Sequence, residues 1–327
     1  MKKTDSNEKR GGIYIHIPFC VRKCAYCDFL SAPADEKTQA EYVKALQTEI
    51  YQTAKLLSEN PYTVDTVFFG GGTPSILAPG HVKALADTLR ESFPFAENAE
   101  ITIECNPGTL DEEKAAVYRQ AGINRISFGL QSANNRELKM LGRIHTMEEF
   151  VKSYETARAA GFDNINMDLI MGLPEEDLDD VRHTLEEIEA LRPDSLTVHS
   201  LAIKRAARLN MFKEEYSGLK INNTPEMIAM SEACARRLGM EPYYLYRQKN
   251  MAGNFENVGY SLPGKACIYN ILIMEELQTI AACGAGTTTK VVFPAENRRE
   301  RCENVKEVEQ YISRIDEMIG RKERILG

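Results

Sequence analysis

Long apolar runs are missing from this sequence. Stretches such as ISFGL at 126–130 fall far short of the ~18 residues that a membrane-spanning helix needs, which removes the case for a helical span. Positive charge is in deficit as well, with 40 Lys and Arg against 48 Asp and Glu, a formal net charge of −8. Surfaces that bind nucleic acid or anionic membranes are basic as a whole, so neither partner is expected, and an anionic ligand must be met by a local cluster. The charged N-terminus, MKKTDSNEKRGG, has no apolar segment behind it, so residues 1–11 are expected to be a disordered polar lead-in rather than a secretory leader. Eight cysteines without a leader point to the reducing cytoplasm, where clustered thiols bind metal or do redox chemistry more often than they form disulfides.

What is present is enough for a large globular fold: 327 residues, 43% of them hydrophobic. Six short apolar runs read as buried strands: GIYIHI (12–17), VDTVFF (64–69), EITIEC (100–105), INRISFGLQ (123–131), INMDLIMGL (165–173) and SLTVHSL (195–201). Segments of helical period lie between them, with stripes such as Val43, Leu46, Ile50, Ala54 and Leu57, or Leu178, Val181, Leu185 and Ile188. Six βα alternations predict a parallel sheet with outside helices, curled into a partial (β/α)6 barrel over residues 12–205. Function in such a sheet gathers at the carboxyl ends of the strands, where Gly70–Gly72, Glu104, Gln131, Asp168 and His199 fall. Residues 206–327 are expected to form an α/β appendage that closes the barrel and covers the substrate. In it 225–239 reads as a helix, 242–248 and 268–274 as strands, and 303–319 as one helix with Val305, Val308, Ile312, Ile315 and Ile319 on a face.

Three cysteines, Cys20, Cys24 and Cys27, sit in FCVRKCAYCDF at 19–29. Their i, i+4, i+7 spacing also describes a helical stripe, but Pro18 and the strand end at Ile17 favour a loop. A tetrahedral zinc site would need a fourth ligand such as His16. Three thiolates suit a 4Fe-4S cubane with one iron left open to a small chelating molecule, and Arg22 and Lys23 favour the thiolate form. The other five cysteines, Cys105, Cys234, Cys267, Cys283 and Cys302, are scattered singly and are expected to be small buried hydrophobes.

The C-x3-C-x2-C loop after a first strand, with Tyr26 before the last cysteine, resembles that of radical S-adenosylmethionine (SAM) enzymes. YIHIPFC (14–20), GGGTP (70–74), IECNP (103–107), FGLQS (128–132), GRIH (142–145) and MDLIMGLP (167–174) resemble, in order and spacing, the oxygen-independent coproporphyrinogen III dehydrogenase (HemN/HemW-like) family. The tail, at 242–260 and 284–290, resembles the HemZ branch. The resemblance implies a 4Fe-4S cluster on Cys20, Cys24 and Cys27, and SAM contacted by Tyr14, Gly71, Gly72, Thr73 and Glu104. It places a second SAM at Gln131, Arg143, Asp168 and Ala202. Lys204, Arg205, Arg208, Arg247 and Lys249 form two basic clusters suited to the carboxylates of a tetrapyrrole. The implied activity is oxidative decarboxylation of propionate side chains to vinyl groups in porphyrin biosynthesis, by a monomer that takes electrons from a flavodoxin or ferredoxin.

Two departures accompany the resemblance. Phe29 stands where the dehydrogenases carry a further cysteine near the second SAM, and the long N-terminal region of the HemZ branch is not in the sequence. A haem chaperone of the same superfamily shares the Cys-to-Phe change and carries a His-Asn-x-x-Tyr-Trp stretch for haem. This sequence has no tryptophan, and none of its five histidines precedes an asparagine. A radical methyltransferase acting on haem is a third member with a similar front half.

Overall fold

A computed structural model of the chain describes residues 9–27, 31–58, 62–202, 220–247 and 251–326. Phe29, Lys204, Arg205, Arg208 and Lys249 lie outside the described residues. Six strands run parallel and in sequence order: β1 (Lys9–Ile17), β2 (Tyr62–Gly71), β3 (Phe95–Cys105), β4 (Arg125–Gln131), β5 (Ile165–Met171) and β6 (Ser195–Ser200). All six expected strands form, and β1 begins at Lys9, inside the stretch expected to be a disordered lead-in.

The helices between them are α1 (Glu36–Leu56), α2 (Pro79–Ser92), α3 (Glu112–Gln120), α4 (Asn135–Met140), α5 (Met147–Ala159) and α6 (Leu178–Leu191). Helix α1 starts where Asp35 accepts from the Thr38 N–H at 2.8 Å, and it buries Val43, Leu46 and Ile50. Helix α6 starts on a capping box made by Asp177 and Asp180, and it buries Val181, Leu185 and Ile188.

The period-two alternation of each strand divides core from cavity. One face of β4, β5 and β6 sends Ile126, Phe128, Leu130, Met167, Leu169, Leu196 and Val198 into the main core. The other sends Ser127, Gly129, Gln131, Asn166, Asp168, Thr197 and His199 into the curl of the sheet. The core therefore lies between sheet and helices, and the interior of the curl is polar.

The C-terminal segment extends this sheet at both edges. Helix α7 (Pro225–Arg237) forms within the 225–239 segment expected to be helical, and it packs on α6. The hairpin β7 (Glu241–Tyr246) and β8 (Asn257–Ser261) joins β6 antiparallel through β8. At the far edge β9 (Thr279–Cys283) joins β1 in parallel, followed by antiparallel β10 (Thr288–Phe293) and β11 (Arg298–Glu303). The order β11-β10-β9-β1-β2-β3-β4-β5-β6-β8-β7 leaves the sheet open, so these strands lengthen the partial barrel and do not close it.

Two further expectations are corrected. Residues 268–274 are not a strand but the core of α8 (Ile268–Glu275), because Glu100 accepts from the Ile268 and Tyr269 N–H groups at 2.9 and 3.1 Å and so caps a helix start. This helix touches both β2 and β7 and spans the two arms of the open sheet. Residues 303–319 are not one helix: Glu303 ends β11, and α9 (Val308–Ser313) and α10 (Ile315–Leu326) are separated at Arg314. Val305, Val308, Ile312 and Ile315 still pack on the core, so the apolar face survives the break.

The tail is tied to α1 by a buried polar network. Glu49 accepts from Lys322 Nζ at 2.9 Å, Asn304 Nδ2 at 2.6 Å, the Gly284 N–H at 2.7 Å and the Tyr311 hydroxyl. Lys322 and Glu49 are almost wholly buried, and this density of hydrogen bonds offsets the desolvation of the pair. The five single cysteines are all buried, as expected.

Candidate functional site

Beyond Ile17 the chain leaves the sheet as a loop held by backbone hydrogen bonds. The Thr73 N–H donates to Phe19 O at 2.8 Å, the Cys20 N–H to Ala32 O at 3.3 Å, and the Ala25 N–H to Leu141 O at 2.9 Å. A turn closes between Cys24 O and the Cys27 N–H, so the three cysteines lie on a loop and not on a helix. None of the three is in a disulfide, and all are half-buried and turned to one cavity of about 400 Å³. Cys20 Sγ lies 3.4 Å from Thr73 Oγ1, and Cys24 Sγ accepts from Arg143 Nη1 at 3.5 Å.

Among the described residues no group of three or more His, Cys, Asp and Glu could hold a single metal ion. A cubane offers a separate iron to each thiolate, so its ligands need not converge on one point. His16, the fourth ligand that zinc would need, has Nδ1 3.1 Å from the Tyr14 hydroxyl.

The GGG turn after β2 meets the cysteine loop closely. Gly71 has φ +116°, and a Cβ there would lie 2.7 Å from the His16 ring. A Cβ on Gly72 would lie 2.6 Å from Phe19 O. These glycines thus permit loop-on-loop packing, a constraint beyond the ligand approach expected of them. The Gly71 N–H donates to Glu104 Oε2 at 3.1 Å. Burial, with the Asp168 charge behind it, pushes the Glu104 carboxyl up to about 8 despite that hydrogen bond. Tyr14 does not line the cavity: it stands behind the wall, stacked on Phe68 at 6.2 Å.

Gln131, Arg143, Asp168 and Ala202 line the same cavity. Gln131 ends β4 in a left-handed conformation, φ 74°, and Arg143 reaches back to Gly129 O. Asp168 accepts from Asn166 at 2.8 Å and Ser127 at 3.2 Å, with His199 Nε2 3.9 Å away. Burial works to raise its pKa, yet His199 and hydrogen bonds from Thr197 and Asn166 prevail and hold it below the ordinary range. Arg247 lies outside the lining, paired with Glu256 at 3.2 Å.

The lining also contains residues that sequence reasoning passed over. Tyr246 holds His199 Nδ1 at 3.1 Å and stacks on Tyr244 at 6.0 Å. Asn270 and Met274 come from α8, and Arg125 lies deep on the inner face of β4. The available signal was the alternation itself: Arg125, Ser127 and Gly129 precede Gln131 in steps of two.

The Radical SAM superfamily matches residues 14–188, more than half of the chain. The chain belongs to this superfamily. Within it, the chain is 41% identical over 318 residues to the oxygen-independent coproporphyrinogen-III oxidase-like protein HemZ of Bacillus subtilis, covering 96% of this chain and 64% of that one. It is 33% identical to the heme chaperone HemW of Escherichia coli over 86% of this chain and 70% of that one. Coproporphyrinogen III oxidase HemN from Escherichia coli has the same fold, with a TM-score of 0.75 at 24% identity over 95% of this chain and 70% of that one. These likenesses put the chain in the HemN/HemW-like family, and it spans slightly less than two thirds of the HemZ relative's length. Radical SAM proteins of this family use a 4Fe-4S cluster and SAM, and the donor set here fits both: three thiols outside any disulfide on one loop, beside a glycine turn and a carboxyl. Among the described residues no helix is long and apolar enough to cross a membrane.

Proposed function

We propose that the chain is a cytoplasmic radical SAM oxidoreductase of the coproporphyrinogen dehydrogenase type. Its substrate is a porphyrinogen, and each propionate side chain it acts on loses a hydrogen atom, carbon dioxide and one electron, the electron passing to a one-electron acceptor, to become a vinyl group. The observation that carries this reading is the single cavity on which three thiols, the Gly71–Thr73 turn, Glu104, and the group Gln131, Arg143, Asp168 and Ala202 all open. When bound, the cluster and SAM supply one-electron cleavage of the sulfonium to methionine and a 5′-deoxyadenosyl radical.

The chain's own residues bind, orient and shield. Cys20, Cys24 and Cys27 hold the cluster, and the Arg143 guanidinium at Cys24 Sγ stabilises thiolate charge. The Gly71–Thr73 backbone and Glu104 hold SAM, with the carboxyl accepting from ribose hydroxyls. Tyr14 acts from behind, through its contact with Phe68 and its hydrogen bond to His16. Gln131, Arg143, Asp168 and Ala202 face them as the second SAM or substrate wall. A flavodoxin or ferredoxin supplies the electron, and the working form is a monomer.

A haem-carrying role is the second reading, favoured by the 33% identity to HemW and opposed by the missing His-Asn-x-x-Tyr-Trp stretch. The deciding experiment is anaerobic reconstitution with iron and sulfide, then incubation with SAM, a strong reductant and either coproporphyrinogen III or haem, followed by mass spectrometry. Two successive losses of carbon dioxide with 5′-deoxyadenosine formation are expected. Tight haem retention without 5′-deoxyadenosine would establish the carrier, and a methylated or ring-opened haem would establish a haem-modifying enzyme.

A further inference from the structure

One cation in the cavity has no part in the reading above. Arg125 opens β4 and is only 2% exposed, yet it lines the cavity. Its Nη2 donates to Ser195 Oγ at 3.1 Å, while its Nε has no partner. Glu100 and Asp168 are the carboxylates whose charge it feels, and both are occupied elsewhere. Glu100 caps α8, and Asp168 accepts from Ser127 and Asn166. A guanidinium does not deprotonate, so a buried one with donors to spare is destabilising until an anion reaches it.

We propose that Arg125 is a carboxylate-binding subsite on the cavity floor, which takes the carboxylate of a substrate side chain that enters past Phe68, Tyr244 and Asn270. The planar fork of the guanidinium matches the two oxygens of a carboxylate. A monoanion suits the position better than a phosphate dianion, because Glu100 and Asp168 already supply negative potential nearby. The inference rests on reading the cavity as the chamber for a propionate-bearing tetrapyrrole, and it makes Arg125 the residue that tells a free acid from an ester.

The test titrates cluster-reconstituted, SAM-loaded protein with coproporphyrin III, the stable oxidised form of the porphyrinogen, and with its tetramethyl ester. Wild type is expected to bind the acid ten- to a hundredfold more tightly than the ester, the range of a charged hydrogen bond. Arg125→Gln lowers acid affinity to that of the ester and leaves the ester unchanged, and Arg125→Lys falls between. Equal binding of acid and ester by wild type, unchanged acid affinity in Arg125→Gln, or equal weakening of both ligands overturns the proposal. If wild type binds neither porphyrin, the tetrapyrrole reading fails on its own, and the subsite is decided by 13C-carboxyl propionate NMR. A saturable shift in wild type that is lost in Arg125→Gln sustains it, and the same response in both proteins overturns it.

Discussion

Glu104 holds its proton in the folded chain up to about pH 8, against an ordinary value of 4.5, and Glu104→Gln is the variant that exposes the consequence. Below the ordinary value, folded and unfolded chains both carry the proton. Between the two values only the folded chain does, so stability falls as pH rises through that window. The whole difference corresponds to up to ~5 kcal/mol. Glu104 is only partly buried and looks onto an open cavity, so screening by water reduces this to ~2 kcal/mol. In a chain of 327 residues that shifts the melting temperature by ~3 °C.

The assay is thermal unfolding of cluster-free protein, followed by circular dichroism at about pH 4, below the ordinary value, and about pH 8.5. Glu104→Gln should match wild type at the lower pH and melt higher at the upper. SAM titrations add a second readout: the net positive charge of SAM favours the ionised carboxyl, so wild-type affinity rises with pH towards 8 and that of the variant stays flat. An equal melting shift at both pH values would refute the burial argument for Glu104.

Replacing Cys20, Cys24 or Cys27 singly by Ser should abolish the iron–sulfur absorbance after reconstitution and, with it, 5′-deoxyadenosine formation, while melting of the cluster-free protein stays close to wild type. Gly71→Ala forces a Cβ against the His16 ring at positive φ, so a loss of ~1–3 kcal/mol is expected in denaturant titration, with weaker SAM binding. Lys322→Met leaves Glu49 buried without its cation, for an expected loss of ~3–5 kcal/mol by urea unfolding. The double variant Glu49→Leu with Lys322→Met should recover most of that loss, and failure to recover would mean that the hydrogen bonds from Gly284 and Asn304 dominate.

The six parallel strands were legible because strands covered by helices on the core side read as apolar runs, and the intervening helices carry caps and stripes such as Asp177 with Val181 and Leu185. The end positions of those strands then pointed at Glu104, Gln131 and Asp168. The tail was less legible for two reasons. The run IYNILIM has no period to separate helix from strand, and the decisive cap comes from Glu100, 168 residues earlier. Strand β11, RRERCE, is an exposed edge whose charges mask its extended pairing with β10. Arg125 was not found because an arginine at a strand start looks like surface, and only the curl of the sheet turns it inward.

The pairing of β9 with β1 joins chain segments that leave the ribosome far apart in time. Until Thr279–Cys283 emerges, the first strand presents a bare row of amide and carbonyl groups to the cell, directly before the loop that carries Cys20. A nascent chain stalled before residue 279 would therefore carry an unpaired strand edge beside the cysteine loop, a surface open to pairing with another chain.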